Sequence, residues 1–235
     1  MTIMKSGSID FRKVITRVGV NRWFVNPLER LCKALARNDS PESVDLIFVI
    51  AGRMDRKRYG IELYRAGFAP RLLLSIGRFE VSKMAVLDFD ASDELIRLRN
   101  CTAPDERHFF CEMNGEGIQI RKVSLRRWST YGELLALRER LISDEVHSMI
   151  VVSTDIHLRR IAVSLEEIFR GLRVKVRFCP VPDRYSSFQR EKWWTRPADR
   201  SLVIKEAVKL MSYRTILTAP GWLIQRLMRL RKEHG

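Results

Sequence analysis

Two side chains that can hold an anion follow a polar turn in the second half of the chain. His157 and Arg160 lie three residues apart, directly after Ser153, Thr154 and Asp155, which are three candidate helix N-caps. The first turn of a helix offers free N–H groups and partial positive charge, so a histidine and an arginine there suit phosphate. The alternative is structural: Arg160 is solvated and His157 caps the turn.

Other candidate residues follow neighbouring apolar runs. Gly52 ends one such run and allows close approach of a ligand to the backbone, although a glycine there also serves as a simple turn. Arg53 beside it adds a cation that can clamp phosphate. Ser129 and Thr130 cap the helix that follows, and a cap at such a junction can also present its hydroxyl to an anion.

An acidic residue and a tryptophan pair complete the candidates. Glu206 can act as a general base or anchor a ligand, but its spacing to Lys209 also fits a surface ion pair. His157 as proton donor and Glu206 as base are therefore the catalytic hypothesis. Trp193 and Trp194 are expected to pack in the core or a lid rather than to stack on a base or sugar.

Alternating apolar segments must position these residues. Four short runs rich in β-branched and leucine residues indicate strands: residues 44–51, 71–76, 149–152 and 174–179. Helical periodicity between and after them predicts helices over residues 57–66, 94–100, 131–142 and 201–213. A further helix is predicted after the three candidate N-caps, with Leu158, Ile161, Ala162, Leu165 and Ile168 on its apolar face. Strand, helix and strand with short links are typical of parallel βαβ units. The sequence therefore predicts an α/β fold with an open, mostly parallel sheet whose carboxyl edge gathers ligands.

Three further features interrupt or flank this alternation. Residues 107–111 and 117–123 are predicted to form an inserted β-hairpin around Asn114-Gly115. The basic stretch 10–38 reads as two helices separated at Asn26-Pro27, where proline suits the first turn of the second. Residues 220–231 read as an amphipathic helix, which either lies on an anionic membrane or docks on the domain.

These patterns divide the chain into three parts. Residues 1–42 are a basic helical N-terminal segment, residues 43–213 an α/β domain, and residues 214–235 a C-terminal amphipathic helix.

The charge balance restricts the kind of partner. The 235 residues contain 43 Lys plus Arg against 28 Asp plus Glu, a formal net charge of +15. Such an excess favours nucleic acid, anionic lipid or a phosphorylated ligand. No helix-turn-helix, RNA-recognition or zinc-finger pattern is present, so nucleic acid ranks last of the three.

Cysteine spacing and hydropathy narrow the class further. The cysteines form no CxxC pair, so neither a zinc site nor a disulfide framework is expected, and no cofactor or metal follows from the sequence. No apolar run reaches the length of a membrane span, and the N-terminus lacks a signal-peptide core. We expect a cytoplasmic protein that is either free or peripheral on the inner face of the membrane.

With these pieces placed, the chain resembles the ElyC/SanA/YdcF family of bacterial envelope-associated proteins. Four landmarks carry the resemblance: DLIFVIAGRMDRKRYGIELYRAGFAPRLLLSIG, SLRRWSTYGELLALRE, VVSTDIHLRRIAVSLEEIF and RSLVIKEAVKLMSY. They are similar to the family's glycine turn and LYxxG helix, its S-x-N-T segment, its VTSxxHMxRA segment and its E-x-x-K-L-x-x-Y helix. The third is the most specific, and together they span residues 45–213.

The resemblance implies a Rossmann-like fold with helices on both faces and one polar pocket at the strand ends. By position, the family's site falls on Gly52, Arg53, Ser75, Gly77, Ser129, Thr130, Ser153, His157, Arg160 and Glu206. The chain departs from the pattern in its single-glycine first turn, in Ser75-Ile76-Gly77, in Ser129 at the usual Asn position, and in an acidic residue displaced by one to Glu133.

The residues and the resemblance together predict a protein of cell-envelope or exopolysaccharide metabolism. Its ligand would be a nucleotide-sugar or a polyprenyl-linked diphosphate, and the best-fitting reaction is hydrolysis of a phosphate-ester or glycosyl-phosphate bond. The alternative is a non-catalytic module that binds a nucleotide or S-adenosylmethionine.

Overall fold

A computed structural model describes residues 22–87, 92–125, 129–186 and 188–218. The strands are β1 (Leu46–Val49), β2 (Leu72–Gly77), β3 (His108–Asn114), β4 (Gly117–Lys122), β5 (Ser148–Ser153) and β6 (Lys175–Pro180). The helices are α1 (Arg22–Leu35), α2 (Met54–Arg65), α3 (Ser92–Asn100), α4 (Ser129–Ile142), α5 (Asp155–Ile168) and α6 (Pro197–Thr218). Short 3₁₀ helices cover Val81–Val86, Pro104–Glu106, Asp183–Tyr185 and Arg190–Thr195.

The six strands form one sheet in the order β4-β3-β2-β1-β5-β6. Strands β2, β1, β5 and β6 are parallel, with Ile47 of β1 opposite Leu72 of β2 and Ile150 of β5. Strand β3 runs antiparallel to both β2 and β4. The predicted mostly parallel α/β sheet and the predicted hairpin are therefore both confirmed, with β3 ending at Asn114 rather than at residue 111.

Helices cover both faces of the sheet. Strand β1 is accordingly apolar on both sides. Ile47 and Val49 belong to a core that includes α2, while Leu46 and Phe48 belong to a second core formed with α4 and α5. Close approach of α2 to β1 requires glycine at position 60, where a Cβ would lie 2.2 Å from Val49 Cγ2. The apolar face predicted for α5 is buried throughout.

A third apolar cluster joins α1, α5 and α6 on the outside of this layer. Cys32 of α1, Ile156 of α5 and Val203 of α6 pack there with Trp193. The expected core role of Trp193 is confirmed: its ring is buried and packs edge-on against Trp194.

The structure differs from the sequence prediction around Pro27. Helix α1 runs without interruption from Arg22 to Leu35 and contains Pro27 in its second turn. The helix loses one backbone hydrogen bond there, and packing of Cys32 and Leu35 on α5 and α6 explains why it persists. The predicted helices before residue 22 and over residues 220–231 lie outside the described residues, among which no helix is long and apolar enough to cross a membrane.

Candidate functional site

Two turns meet where the direction of the strand order changes. From β1 the chain first passes to β2 on one side and later returns to β5 on the other, so the carboxyl ends of β1 and β5 lie side by side. In open α/β sheets the crevice at such a point is where ligands bind. The two turns here are Ala51-Gly52-Arg53, before α2, and Ser153-Thr154, before α5.

Arg56, in the first turn of α2, is a buried cation that contacts both turns. Its Nη1 donates to the Ala51 carbonyl oxygen at 2.7 Å and its Nη2 to Thr154 Oγ1 at 3.2 Å, so the guanidinium bridges the two turns. Gly52 gives it room: a Cβ at this residue, whose φ is +134°, would lie 2.9 Å from Arg56 Nη1. Arg56 Nε is buried without a hydrogen-bond partner. Buried polar atoms of this kind are rare in folded proteins and often lie at functional sites.

Two helix N-termini flank the Arg56 guanidinium. Helix α2 begins at Met54 and α5 at Asp155, and the side chains of their N-cap residues, Arg53 and Thr154, make no capping hydrogen bond. Helix N-termini attract anions through their free N–H groups and their dipoles. Burial lowers the pKa of Arg56, but arginine stays protonated, so a positive charge lies between the two termini.

A second group of contacts joins α5 to α6. Arg160 Nε donates to Glu206 Oε2 at 2.9 Å, and Arg160 Nη2 contacts His157 Nε2. Ser153 Oγ lies 2.9 Å from His157 Nδ1. Glu206 is buried and also accepts a bond from the half-exposed Lys209 at 3.0 Å. The predicted proximity of His157 and Arg160 is confirmed. The predicted ion pair of Glu206 with Lys209 is also present, but Glu206 itself is buried and pairs with Arg160 as well.

The contacts of His157 determine where its proton lies. Arginine can only donate, so His157 Nε2 accepts from Arg160 and the neutral ring carries its proton on Nδ1, facing Ser153. Burial, together with the charge of Arg160, holds the pKa of His157 well below its ordinary value. Proton donation by His157 stays a prediction, and in this arrangement it requires the Arg160 contact to break.

Glu133 connects the ends of β1 and β2 from the second turn of α4. Its Oε1 accepts the Ala51 N–H at 2.7 Å, and its carboxylate also accepts a hydrogen bond from Ser75. Burial raises the pKa of Glu133 to about 7, against the opposing effect of these two bonds. A carboxylate of that pKa can accept a proton near neutral pH, so Glu133 is a candidate general base at this edge of the sheet.

A buried ion pair fixes the turn that follows β2. Lys57 Nζ lies 2.7 Å from Glu80 Oε1 and donates to the Ile50 carbonyl oxygen at 3.1 Å. Glu80 Oε2 accepts the Gly77 N–H at 2.8 Å. Nearby, Ser75 Oγ lies 2.7 Å from His108 Nε2, and burial lowers the pKa of His108 to about 4. Gly77 and Ser75 are thus held by a polar network beneath the crevice.

A cavity of about 310 Å³ opens beside Thr154, at the carboxyl ends of β5 and β6. Its lining includes three carboxylates and one arginine: Asp39, Asp155, Asp183 and Arg190. Arg190 Nε donates to Asp155 Oδ2 at 2.8 Å. Thr154 therefore contacts Arg56 through its hydroxyl and also lines a space large enough for a small ligand.

Most of the predicted site residues meet at this edge of the sheet. Gly52, Ser75, Gly77, Thr130, Ser153, Thr154, His157 and Arg160 lie at the carboxyl ends of β1, β2 and β5 or in the first two turns of α4 and α5. Arg53 is exposed and pairs with Asp55 at 2.9 Å. Ser129 begins α4, but its side chain lies outside the described residues. Among the described residues there is no group of three or more His, Cys, Asp or Glu that could hold a metal ion.

Sequence reasoning missed the buried charges, namely Arg56, Lys57, Glu80 and the role of Glu133. Arg56 and Lys57 belong to the run RMDRKR, whose composition is typical of a solvated helix face. Their position in the first turn of a helix that follows a buried strand could have indicated that they are buried. Side chains in such a turn tilt back toward the strand ends.

The pKa of Glu133 predicts a pH-dependent stability. The pKa of Glu133 is higher in the folded chain than in the unfolded chain. Its contribution to the free energy of unfolding is therefore fully present below the unfolded pKa and is lost as pH rises through about 7. We expect the variant Glu133→Gln, which stays neutral, to gain about 3 kcal/mol relative to the native chain between pH 4.5 and 8. Urea denaturation across this range measures the difference, and subtracting the two chains cancels the opposing titrations of His108 and His157. A difference that does not change with pH would rule out a raised pKa.

Comparison with known proteins found no protein-family model, no curated protein and no solved structure that matches this chain.

Proposed function

We propose that this chain binds a phosphorylated ligand in the crevice between the carboxyl ends of β1 and β5, and that the ligand is a nucleotide-sugar. The observation that carries the proposal is the buried Arg56 guanidinium, which lies against Gly52 and between the N-termini of α2 and α5. A diphosphate placed there would meet the Arg56 cation and two helix N-termini. It would have to share those termini with Asp55 and Asp155, which accept the N–H groups of Arg56 and Ile156.

The adjacent cavity favours the sugar over a lipid chain. Its carboxylates, Asp39 and Asp183 among them, repel phosphate but are good acceptors for sugar hydroxyls. A polyprenyl chain would need an apolar groove of greater length than this polar cavity offers. We therefore place the phosphates beside Arg56 and the sugar hydroxyls beside the aspartates.

The residues at the crevice also support hydrolysis of a phosphate-ester or glycosyl-phosphate bond. Glu133 would take a proton from the attacking water, and Arg56 would stabilise the negative charge that develops on the phosphate oxygens. On a glycosyl-phosphate bond, the water oxygen would add to the sugar carbon, the C–O bond would break, and the departing phosphate would need no protein proton. On a phosphate ester, the P–O bond would break and the departing alkoxide would take the proton that Glu133 had removed from the water. In this scheme His157 and Glu206 hold Arg160 in place and act as positioning residues.

This proposal agrees with the resemblance to the ElyC/SanA/YdcF family, with its Rossmann-like fold and with a place in envelope or exopolysaccharide metabolism. It also agrees with a cytoplasmic location, where nucleotide-sugars are made. The second candidate, a non-catalytic nucleotide or S-adenosylmethionine module, is favoured by one observation: His157, Arg160 and Glu206 contact one another, which occupies the two residues predicted to be catalytic.

A thermal-shift screen of the full chain separates these possibilities. The ligands are UDP-glucose, UDP, inorganic phosphate, an undecaprenyl phosphate and S-adenosylmethionine. Saturation at a hundred times the dissociation constant stabilises the fold by about 2.7 kcal/mol, so we expect the largest shift with UDP-glucose and a smaller one with UDP. Phosphorus NMR of the bound mixture then reports whether the ligand is cleaved. A shift with S-adenosylmethionine alone would replace the proposal with the second candidate.

A further inference from the structure

Helix α6 is apolar on two opposite sides. Its inner side packs Val203, Leu210 and Tyr213 into the protein, where they are buried. Its outer side carries Ile204, Val208 and Met211, which are 54%, 58% and 70% exposed. These three recur at spacings of four and three and so form one stripe along the helix. A single exposed apolar residue is ordinary, whereas a stripe of large ones marks an interaction surface.

The exposed charged side chains of α6 all have one sign. Exposed basic side chains lie along the same helix, at Arg200, Lys205, Lys209 and Arg214. The acidic residues of α6, Asp199 and Glu206, are both buried on the inner side. The outward surface of α6 therefore combines apolar side chains with positive charge and presents no carboxylate of its own.

We propose that the outer face of α6, defined by Ile204, Val208 and Met211, binds an anionic lipid surface. The apolar stripe would insert at the boundary between headgroups and acyl chains, while the flanking lysine and arginine side chains reach the lipid phosphates. A second copy of the chain fits this face less well, because pairing two such faces would bring like charges together. The surface is separate from the crevice at Arg56, so either proposal can fail without the other.

Vesicle sedimentation of the full chain tests the stripe. We expect binding to vesicles of equal parts phosphatidylcholine and phosphatidylglycerol, little binding to phosphatidylcholine alone, and release at high salt. The double variant Val208→Asp/Met211→Asp should lower the partition coefficient by about tenfold or more, since it removes two apolar groups and adds two negative charges. The matched control is Val86→Asp/Ile142→Asp, because these two residues lie outside α6, are 71% and 58% exposed and should leave binding unchanged.

A charge-matched pair of variants separates the local surface from the net charge of +15. Arg200→Glu/Lys205→Glu changes two exposed residues of α6, whereas Arg173→Glu/Lys175→Glu changes two exposed residues at and before β6. Each pair alters the total charge equally. We expect the α6 pair to lower the partition coefficient by about tenfold and the β6 pair by less than about threefold.

Three results would overturn the proposal. The first is native-like binding by Val208→Asp/Met211→Asp, which would assign the membrane contact to the basic, apolar residues 219–235. The second is equal loss in both charge pairs, which would leave only a nonspecific effect of net charge. The third is a dimer in light scattering that the double variant dissociates without any change in vesicle binding, which would identify a second copy as the occupant.

Discussion

Replacing Arg160 by alanine is expected to lower the free energy of unfolding by about 3–5 kcal/mol, because it leaves a buried carboxylate without its main partner. Arg160 is buried, donates to Glu206 at 2.9 Å, contacts His157 and lies 5.1 Å from the centre of the Tyr213 ring. Without it, Glu206 would retain only the half-exposed Lys209. Urea denaturation at neutral pH measures the loss.

Lys209→Ala is the matched control, since it removes the other cation that contacts Glu206. Lys209 is half-exposed, so its ion pair is screened by water, and we expect a cost of under about 1 kcal/mol. The double variant Arg160→Met/Glu206→Leu replaces both charges with apolar groups and should recover most of the lost stability. A cost for Arg160→Ala as small as that for Lys209→Ala would contradict the buried pair between α5 and α6.

The second large effect is expected at Arg56. Lysine keeps the charge but cannot bridge Ala51 and Thr154 with a planar fork, so Arg56→Lys should weaken binding of UDP-glucose by about a hundredfold. Isothermal calorimetry measures the affinity, and thermal denaturation reports whether the variant folds. The control is Arg58→Lys, two residues along the same helix, where the side chain is exposed and affinity should stay within about twofold.

Retention of native affinity by a folded Arg56→Lys variant would remove Arg56 from the binding site. If Arg56→Lys loses both its affinity and its fold, Thr154→Val provides the test instead. This variant removes one hydrogen-bond acceptor of the Arg56 guanidinium and keeps the size of the side chain. We expect that variant to fold and to lose about tenfold in affinity.

Local sequence patterns were enough to predict the sheet and its helices. Short apolar runs such as Leu46–Val49 and Ser148–Ser153 are buried on both sides, and strands of that kind are distinctive. The contact between His157 and Arg160 was equally accessible, because residues three apart on a helix are neighbours whatever the tertiary fold.

The tertiary contacts of the site residues could not be predicted from local sequence patterns. Glu206 contacts Arg160 across 46 positions of sequence, and only the packing of α6 on α5 brings them together. Arg56 and Lys57 looked solvated because charged residues in a helix usually are. They are buried because α2 directs its first turn into the carboxyl edge of the sheet, where Thr154 and Glu80 receive them.

Glu133 shows how a departure from a familiar pattern can mislead. Glu133 is displaced by one position from the family's acidic residue, yet its side chain reaches the Ala51 N–H at 2.7 Å and the Ser75 hydroxyl. A one-residue shift at the start of a helix changes the direction of the side chain, and the geometry of α4 against β1 decides what it contacts. Spacing alone carries no information on that geometry.

Hydrogen exchange of the full chain, with and without UDP-glucose, tests the proposed crevice most directly, because it locates the ligand without any substitution. Binding between β1 and β5 predicts slower exchange at two separate segments, residues 52–56 and 154–157, with no change in the hairpin of β3 and β4. The hairpin and α4 line a second cavity, of about 330 Å³, between Phe110 and Leu135. Exchange that is unaffected at both turns, or protection confined to the hairpin and α4, would show that the ligand does not bind at Arg56.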